Sequence, residues 1–218
     1  MSYNIAIDGP AGAGKSTVAK RVAKEKRFIY VDTGAMYRAM GLYFLREGIR
    51  AEDMGQVSEK CKNVDITISY VDGEQVVFLN GENVNGLIRT EEVGNMTSAC
   101  SVNPQVRKKL VELQQRLARD ADVVMDGRDI GTCVLPDADV KIYLTAGSGV
   151  RAKRRYEELQ AKGMECDLEQ IEKDIIERDS RDMNREISPL RQAEDAVFLD
   201  SSAMSIDEVV GKILELCQ

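Results

Sequence analysis

The sequence predicts an α/β fold in which a five-stranded parallel sheet is flanked by helices. The first observation is a set of five short apolar segments, separated mostly by stretches of helical character, at residues 3–8, 28–31, 123–126, 140–144 and 196–199. Short apolar strands that alternate with helices are typical of a parallel sheet covered on both faces. The second observation is that charged and glycine-rich residues directly follow several of these segments. Ligands bind beyond the carboxyl ends of the strands in such folds, so these residues are the first candidates for a site.

Composition and charge limit the class of protein. The chain has 218 residues, a length suited to one domain or to one domain with an insertion. Its formal net charge of -7 speaks against a surface that coats nucleic acid. The five cysteines are widely spaced without a C-x-x-C pair, which argues against a disulfide framework and a zinc site. With neither a leader nor a membrane-spanning segment evident, we expect a cytoplasmic monomer that binds neither nucleic acid nor a membrane.

A phosphate-binding loop follows the first predicted strand. The pattern G-x-x-x-x-G-K-[ST] is complete in the run Gly9-Pro10-Ala11-Gly12-Ala13-Gly14-Lys15-Ser16-Thr17. Glycines let backbone N–H groups turn toward a phosphate, and the N-terminus of the helix that follows favours the same anion. Lys15 would reach the β- and γ-phosphates of a nucleoside triphosphate, and Ser16 would bind Mg²⁺. Strand, loop and helix together predict a P-loop NTPase-type sheet.

Two further candidates follow the second strand. Arg38 lies one turn inside a helix that starts near Gly34, where its guanidinium can bind a phosphate through two hydrogen bonds. Taken alone, Arg38 is equally compatible with a surface charge. Thr33 stands at the helix entrance and could serve either as an N-cap or as a hydroxyl offered to a base.

An antiparallel insertion is predicted at residues 64–90. Alternating runs at 66–71 and 75–79 flank Asp72-Gly73, and Asp-Gly between such runs is a strong hairpin signal. A second turn at Asn80-Gly81 leads to a third short strand at residues 83–85. The residues leave two roles open for this insertion: a loop stabilised by its own pairing, or a segment that covers a substrate.

The third parallel strand ends in a dense group of charges. Asp126 closes an apolar strand, where P-loop enzymes place the carboxylate that holds Mg²⁺ directly or through water. Arg128 and Asp129 follow within Asp126-Gly127-Arg128-Asp129-Ile130-Gly131-Thr132. Because this strand end should lie beside the phosphate loop, we assign Arg128 and Asp129 to a site rather than to a solvated turn.

The last third of the chain is rich in arginine. Three arginines share one helical face by their i, i+3, i+4 spacing: Arg151, Arg154 and Arg155. A later helix has an apolar stripe that continues into charged residues, with Arg181 beside it: Leu168, Ile171 and Ile175, then Arg178, Asp182 and Arg185. The continuous stripe predicts that these charges point inward, where they need polar or anionic partners. The alternative is an exposed helix laced with salt bridges.

The residues suggest a reaction between two highly charged substrates. The sequence contains no histidine, so a mechanism that needs an imidazole base is excluded. Phosphoryl transfer to a phosphate oxygen needs no such base, but it needs alignment of the substrates and arginines with Mg²⁺ to neutralise charge. Two rival interpretations remain: a small P-loop kinase for UMP, AMP or shikimate, and a P-loop switch or nucleotide sensor. The N/T-K-x-D base-reading motif of GTPases is absent.

Over essentially its whole length the chain resembles the bacterial-type, long-form cytidylate kinases of the nucleoside monophosphate kinase family. The resemblance is carried by these stretches: Ile7-Asp8-Gly9-Pro10, residues 32–38, the hairpin insertion, and residues 88–93, 126–132 and 177–185. The last two are the most specific. The resemblance implies ATP-dependent phosphorylation of CMP and dCMP to the diphosphates, with Mg²⁺. It also favours the substrate-closing role for the insertion.

The resemblance further implies residue roles. Cytosine would be read by the residues at the positions of Thr33, which is usually a serine in the family, Arg107, Asp129 and Arg185. The acceptor phosphate would be held by Arg38 and Arg128, and the ribose would contact Ser98, Arg178 and Asp182. The implied catalytic residues are Lys15, Arg128, Arg178 and Arg181, of which Arg181 would join a lid with an arginine from the 151–155 cluster. The chain would form one domain over 1–218: a core of 1–33, 100–150 and 190–218, a monophosphate-binding part of about 34–99, and a lid of about 151–189.

Overall fold

The structure is a computed structural model that describes residues 2–71 and 74–217. The chain divides into two compact units. Unit 1 is formed mainly by residues 29–122, and unit 2 by residues 3–28 together with 123–218. Unit 2 is therefore built from two stretches of chain that are far apart in sequence.

The described residues contain eight strands and eight α-helices. The strands are β1 Asn4–Asp8, β2 Ile29–Asp32, β3 Ile66–Val71, β4 Glu74–Leu79, β5 Glu82–Asn83, β6 Val123–Gly127, β7 Val140–Thr145 and β8 Val197–Asp200. The helices are α1 Lys15–Lys26, α2 Thr33–Arg46, α3 Met54–Lys60, α4 Glu91–Cys100, α5 Pro104–Asp120, α6 Ser148–Ala161, α7 Leu168–Asn184 and α8 Ile206–Leu216. A 3-10 turn at Cys61–Asn63 and a π-helical turn at Ile130–Val134 complete the set.

The predicted five-stranded parallel sheet is confirmed, with the strand order β2-β6-β1-β7-β8. Ile5 of the central strand β1 pairs with Val124 on one side and with Val140 on the other. The apolar side chains of β1 and β6 are fully buried, as expected for strands covered on both faces. The observed strand ends differ from the predicted ones by at most one residue.

Helix α1 begins within the phosphate-loop motif, at Lys15. Its N-cap is Gly14, whose φ of 88° lies in the left-handed region that favours glycine. Gly9, at the start of the loop, has a φ of 150°, and a β-carbon there would lie 1.9 Å from the carbonyl oxygen of Leu144. The backbone at residue 9 can therefore pass this close to the β7 backbone only because residue 9 has no side chain.

Gly9→Ala is expected to lower the free energy of unfolding by about 2 kcal/mol, because the new methyl group must displace the β7 backbone. Urea denaturation of the purified variant measures the change. Gly211→Ala is the matched control: Gly211 lies inside α8 with open space around its α-carbon, so alanine there should stabilise the protein slightly. Equal stability of Gly9→Ala and the wild type would contradict the close approach.

The antiparallel insertion of unit 1 is also confirmed, as the sheet β3-β4-β5. Ile66 pairs with Leu79 and Val71 with Glu74, so the register is that of a hairpin. The predicted turn residues Asp72-Gly73 lie outside the described residues. The third strand was placed slightly too late, since β5 is Glu82–Asn83. The reason is Asn85, whose side chain bonds the β4 backbone at Val77 N (2.9 Å) and Gln75 O (2.9 Å).

Helix α8 starts with a capping box. The Ser205 hydroxyl accepts from the Glu208 backbone N–H, while the Glu208 carboxylate accepts from the Ser205 backbone N–H at 2.8 Å. This reciprocal pair satisfies two N–H groups that a helix end would otherwise leave without partners. Among the described residues, no helix has the length and apolar character needed to cross a membrane.

Candidate active site

The phosphate loop belongs to unit 2 and includes Lys15. Lys15 is buried, and its ammonium donates to the carbonyl oxygen of Pro10 at 2.8 Å. Burial, and then repulsion from Arg128, lower the pKa of Lys15. A lysine held this way can exchange the Pro10 carbonyl for a phosphate oxygen.

Ser16 and Asp126 lie side by side at the ends of α1 and β6. The Ser16 hydroxyl donates to Asp126 Oδ2 at 2.9 Å, and Asp126 is buried. Hydroxyl and carboxylate oxygens are the hard ligands that Mg²⁺ prefers in proteins. The pair therefore fits the magnesium site predicted from the sequence, next to the phosphate loop.

Asp8, the last residue of β1, holds the turn that follows β6. Its carboxylate accepts from the backbone N–H groups of Ile130 (2.8 Å) and Gly131 (2.7 Å). Burial raises the pKa of Asp8 to about 6, although both hydrogen bonds act to lower it. Asp129 adds to the rise, and Lys15 opposes it. The carboxylate is therefore kept in an unfavourable environment for its charge.

The raised pKa of Asp8 predicts a pH dependence of stability. Between the unfolded value of 3.8 and the folded value of about 6 the native state binds the proton more tightly, so stability falls as pH rises. Relative to Asp8→Asn, the wild type should lose about 2.5 kcal/mol of unfolding free energy between about pH 4 and pH 7. Urea denaturation of both proteins across this range measures the difference. Parallel pH profiles would show that Asp8 has an ordinary pKa.

Arg128 forms an ion pair with Asp182 of α7. Its Nε donates to Asp182 Oδ2 at 2.9 Å, and both side chains are largely buried. Burial would raise the pKa of Asp182, but Arg128, Arg178 and Arg185 outweigh it and lower the pKa. Asp182 is thus held ionised by three arginines.

Asp129 and Arg185 form a second, more deeply buried pair. Arg185 Nη2 donates to Asp129 Oδ1 at 3.3 Å, and each side chain is only 7% exposed. The Nε of Arg185 donates to the carbonyl oxygen of Ser188 at 2.6 Å, which fixes the plane of the guanidinium. A buried carboxylate beside a fixed guanidinium offers hydrogen-bond acceptors and donors next to each other, as recognition of a nucleobase edge requires.

The inward face predicted for α7 is only partly correct. The buried residues of this helix are Ile175 and Asp179, while Arg178 is exposed. The buried face is a narrow i, i+4 row, and residue 178 is rotated by about 100° from residue 179 on a helix. Arg185 is not helical either, because α7 ends at Asn184 and Arg185 is extended, with a ψ of 140°. Its inward direction comes from the chain leaving the helix.

The arginines of α6 have different surroundings. Arg151 is buried, donates to Ala11 O at 2.9 Å and pairs with Asp179 at 2.6 Å, so it braces the phosphate loop. Arg154 donates to Ser201 O at 2.8 Å. Arg155 is half-exposed and pairs with Glu158 of its own helix. Arg181 of α7 is exposed and forms no ion pair within the part of the chain that the structure describes.

In unit 1, Asp32 organises the start of α2. Its carboxylate accepts from the Ala35 backbone N–H, so Asp32 is the N-cap and the N-cap interpretation of Thr33 is wrong. Thr33 is the first helical residue and is buried. Asp32 Oδ2 also pairs with Arg38 (3.3 Å) and with Arg89 (3.2 Å). Two guanidiniums therefore share one carboxylate.

Glycine at position 34 makes room for Arg38. A β-carbon at Gly34 would lie 3.1 Å from Arg38 Nη1, tighter than ordinary contact.

Further along unit 1, Arg107 of α5 is buried, with its guanidinium carbon 5.6 Å from the centre of the Tyr37 ring. Such stacking orients a guanidinium without neutralising it. Ser98, on α4, is partly buried and accepts from the Ser101 hydroxyl through its carbonyl oxygen.

A family model described as cytidylate kinase matches residues 5–218. The chain belongs to the cytidylate kinase family. The cytidylate kinase of Caldicellulosiruptor bescii is 52% identical over 98% of this chain and 94% of the relative. That of Bacillus velezensis is 49% identical over 99% and 96%. Membership makes the chain a phosphotransferase of the kinase type.

Solved structures support the fold. A protein of unassigned function from Eubacterium ventriosum matches with a TM-score of 0.55 at 13% identity, covering 99% of this chain and 97% of that one. At this identity the likeness concerns the fold alone.

Several residues of the candidate site were not predicted. Asp8 binds the turn after Asp129. Arg89 pairs with the carboxylate of Asp32, and Asp179 pairs with Arg151, which braces the phosphate loop. For Asp8 one signal was present, a charge at the end of an otherwise apolar strand. The other two are charges in charged surroundings, and their partners lie far away in the sequence.

Proposed function

We propose that the chain transfers the γ-phosphoryl group of ATP to CMP or dCMP, giving ADP and CDP or dCDP. The observation that carries the proposal is the buried Asp129–Arg185 pair in the same unit as a complete phosphate loop. The loop accounts for a triphosphate, and the pair accounts for a nucleobase. Membership of the cytidylate kinase family supports cytosine as that base.

ATP would be held by residues 9–17. Backbone N–H groups of the loop and the N-terminus of α1 would bind its phosphates, and Lys15 would leave the Pro10 carbonyl for a phosphate oxygen. Ser16 and Asp126 would hold Mg²⁺, Asp126 directly or through water. When bound, Mg²⁺ would supply charge neutralisation on the phosphates.

Cytosine would be recognised by hydrogen bonds that uracil cannot make. The Asp129 carboxylate can accept from the N4 amino group of cytosine, while arginines donate to O2 and N3. Uracil has an oxygen at that position, which would face the lone pairs of the carboxylate. We assign the base to Thr33, Arg107, Asp129 and Arg185, and the ribose to Ser98, Arg178 and Asp182.

The acceptor phosphate would be held by Arg38 and Arg128. Arg38 pairs with Asp32, and Arg128 pairs with Asp182, so a carboxylate already orients each guanidinium. An oxygen of the acceptor phosphate, already ionised near neutral pH, attacks the γ-phosphorus, and the bond to the oxygen of ADP breaks. Lys15, Arg128, Arg178 and Arg181 would stabilise the charge that develops.

Arg178 and Arg181 belong to the segment that we propose as the lid, residues 151–189. Both are exposed on α7, as a group that approaches ATP only on closure must be. Arg155 is the exposed arginine of the 151–155 cluster, and we propose it as the arginine that acts with Arg181 in the lid. We keep the predicted division into a core, a monophosphate-binding part of about 34–99 with a substrate-closing insertion, and this lid. The enzyme would act as a monomer in the cytoplasm, where its nucleotide substrates are kept.

A coupled assay of ADP formation tests the proposal. We expect rapid ADP formation from ATP with CMP and dCMP, and much slower formation with UMP, AMP or shikimate. If the enzyme prefers one of the other acceptors, the proposed substrate is wrong but phosphoryl transfer from ATP is still correct. Tight ATP binding without any acceptor-dependent ADP formation would favour a nucleotide switch and overturn the proposal.

A further inference from the structure

Asp8 is a buried carboxylate for which the proposed chemistry has no direct use. It is the residue before the phosphate loop, and a negative charge there opposes the binding of phosphates. Its environment already disfavours the charge, so the residue should contribute something that offsets this cost. The contacts that it makes in return are the two hydrogen bonds to Ile130 N and Gly131 N.

These two amides open the π-helical turn Ile130–Val134. The first N–H groups of a helical turn have no partners within the turn itself. Here they are satisfied by a side chain 122 and 123 residues away in the chain. Asp8 therefore caps this turn from the neighbouring strand and fixes the backbone at residues 130 and 131.

The fixed backbone adjoins Asp129, which directly precedes Ile130. Asp129 has a φ of -146° and a ψ of 27°, so it is not part of the helical turn. Its carbonyl oxygen accepts from Cys133 N (2.9 Å) and Val134 N (3.2 Å). Arg185 holds the Asp129 side chain at 3.3 Å, and Asp8 holds the backbone just beyond it. The direction of the Asp129 carboxylate thus depends on Asp8.

We propose that Asp8 is a positioning residue for the acceptor: it sets the place of the Asp129 carboxylate and thereby the discrimination between cytosine and uracil. The inference rests on the proposed role of Asp129. Through its hydrogen bonds to Ile130 and Gly131, Asp8 links the start of the phosphate loop to the segment that contains Asp129. Asp8 itself touches neither nucleotide.

Space around Asp8 supports a demanding fit. A β-carbon at Gly131 would lie 3.4 Å from Asp8 Oδ2 and 3.3 Å from Lys141 Cδ. A methyl group at 131 would touch the Asp8 carboxylate at van der Waals distance and would meet the Lys141 side chain slightly more tightly. Gly131→Ala therefore changes the surroundings of the two hydrogen bonds that Asp8 accepts, without changing Asp8 itself.

The test is the kinetics of Asp8→Asn with CMP and UMP. Asparagine has the same shape but turns an N–H₂ group against a backbone N–H, so one hydrogen bond becomes a repulsive contact. We expect the KM for CMP to rise about 10-fold and the ratio of kcat/KM for CMP over UMP to fall about 10-fold, without a rise in the KM for ATP. Gly131→Ala should change the same quantities in the same direction.

Two comparisons sharpen the test. Asp53→Asn is a control that also removes a helix-capping carboxylate, that of α3. Asp53 belongs to unit 1 and Asp129 to unit 2, so the CMP to UMP ratio should not change. In Asp8→Asn/Asp129→Ala the ratio should be no lower than in Asp129→Ala alone, because both changes act on one carboxylate. Circular dichroism confirms that each variant is folded. If Asp8→Asn does not fold, Gly131→Ala decides.

The outcomes separate this inference from the proposed function. A wild-type enzyme without CMP-dependent ADP formation would overturn the proposed function. A wild-type enzyme that prefers CMP, with an unchanged CMP to UMP ratio in folded Asp8→Asn and Gly131→Ala, would overturn the inference alone. A rise in the KM for ATP with an unchanged ratio would place Asp8 on the donor side and would also overturn it.

Discussion

Lys15→Ala is expected to lower the rate constant of phosphoryl transfer by about 1,000-fold and to leave CMP affinity nearly unchanged. Lys15 would neutralise charge that develops on the transferred group, and the acceptor is recognised by other residues. Burial already lowers the pKa of this lysine, so its removal should not destabilise the fold. Single-turnover kinetics give the rate constant, and calorimetric titration with CMP gives the affinity.

Lys24→Ala is the control for Lys15. It removes a lysine from the same helix, but Lys24 is exposed. Its rate constant should match that of the wild type. An unaffected rate constant in Lys15→Ala would rule out the phosphate loop as the donor site.

Asp129→Ala is expected to lower the preference for CMP over UMP by about 1,000-fold, since a site built to accept a hydrogen bond discriminates strongly. The KM for CMP should rise, while the KM for ATP should hardly change. Ratios of kcat/KM for the two acceptors, measured in the coupled assay, provide the readout. An enzyme that stops binding ATP but keeps its preference for cytosine would contradict the assignment.

The alanine variant also leaves Arg185 buried beside an empty space, which costs stability. Asp129→Asn is therefore measured in parallel, because it keeps the volume and an oxygen for Arg185. Asp137→Asn serves as the control, since Asp137 follows the same turn but is exposed. It should behave as the wild type.

Local patterns predicted most of the fold. Apolar runs identified all five parallel strands, and alternation identified β3 and β4, because burial on two faces or on one face leaves a direct mark on the sequence. The third antiparallel strand was misplaced because the side chain of Asn85 bonds the β4 backbone. A side chain that takes the place of a backbone partner produces no such pattern in the sequence.

The site was predictable only where a residue type is tied to a motif. Lys15, Ser16 and Asp126 follow from the loop motif and a strand end, and the structure places Ser16 beside Asp126. At the start of α2, Asp32 and Thr33 are both good capping residues, so the sequence could not choose between them. The role of Asp8 depends on amides that become its neighbours only when β1 pairs with β6.

The pairing of β1 with β6 also has a consequence for how the chain folds. Residues 29–122 are continuous and can begin to order through contacts made within their own length, such as the β3–β4 hairpin. Strand β1 must wait for partners more than a hundred residues downstream, and such distant pairings are slow to form. During synthesis on the ribosome, the glycine-rich segment made among the first should therefore be among the last to acquire its native shape.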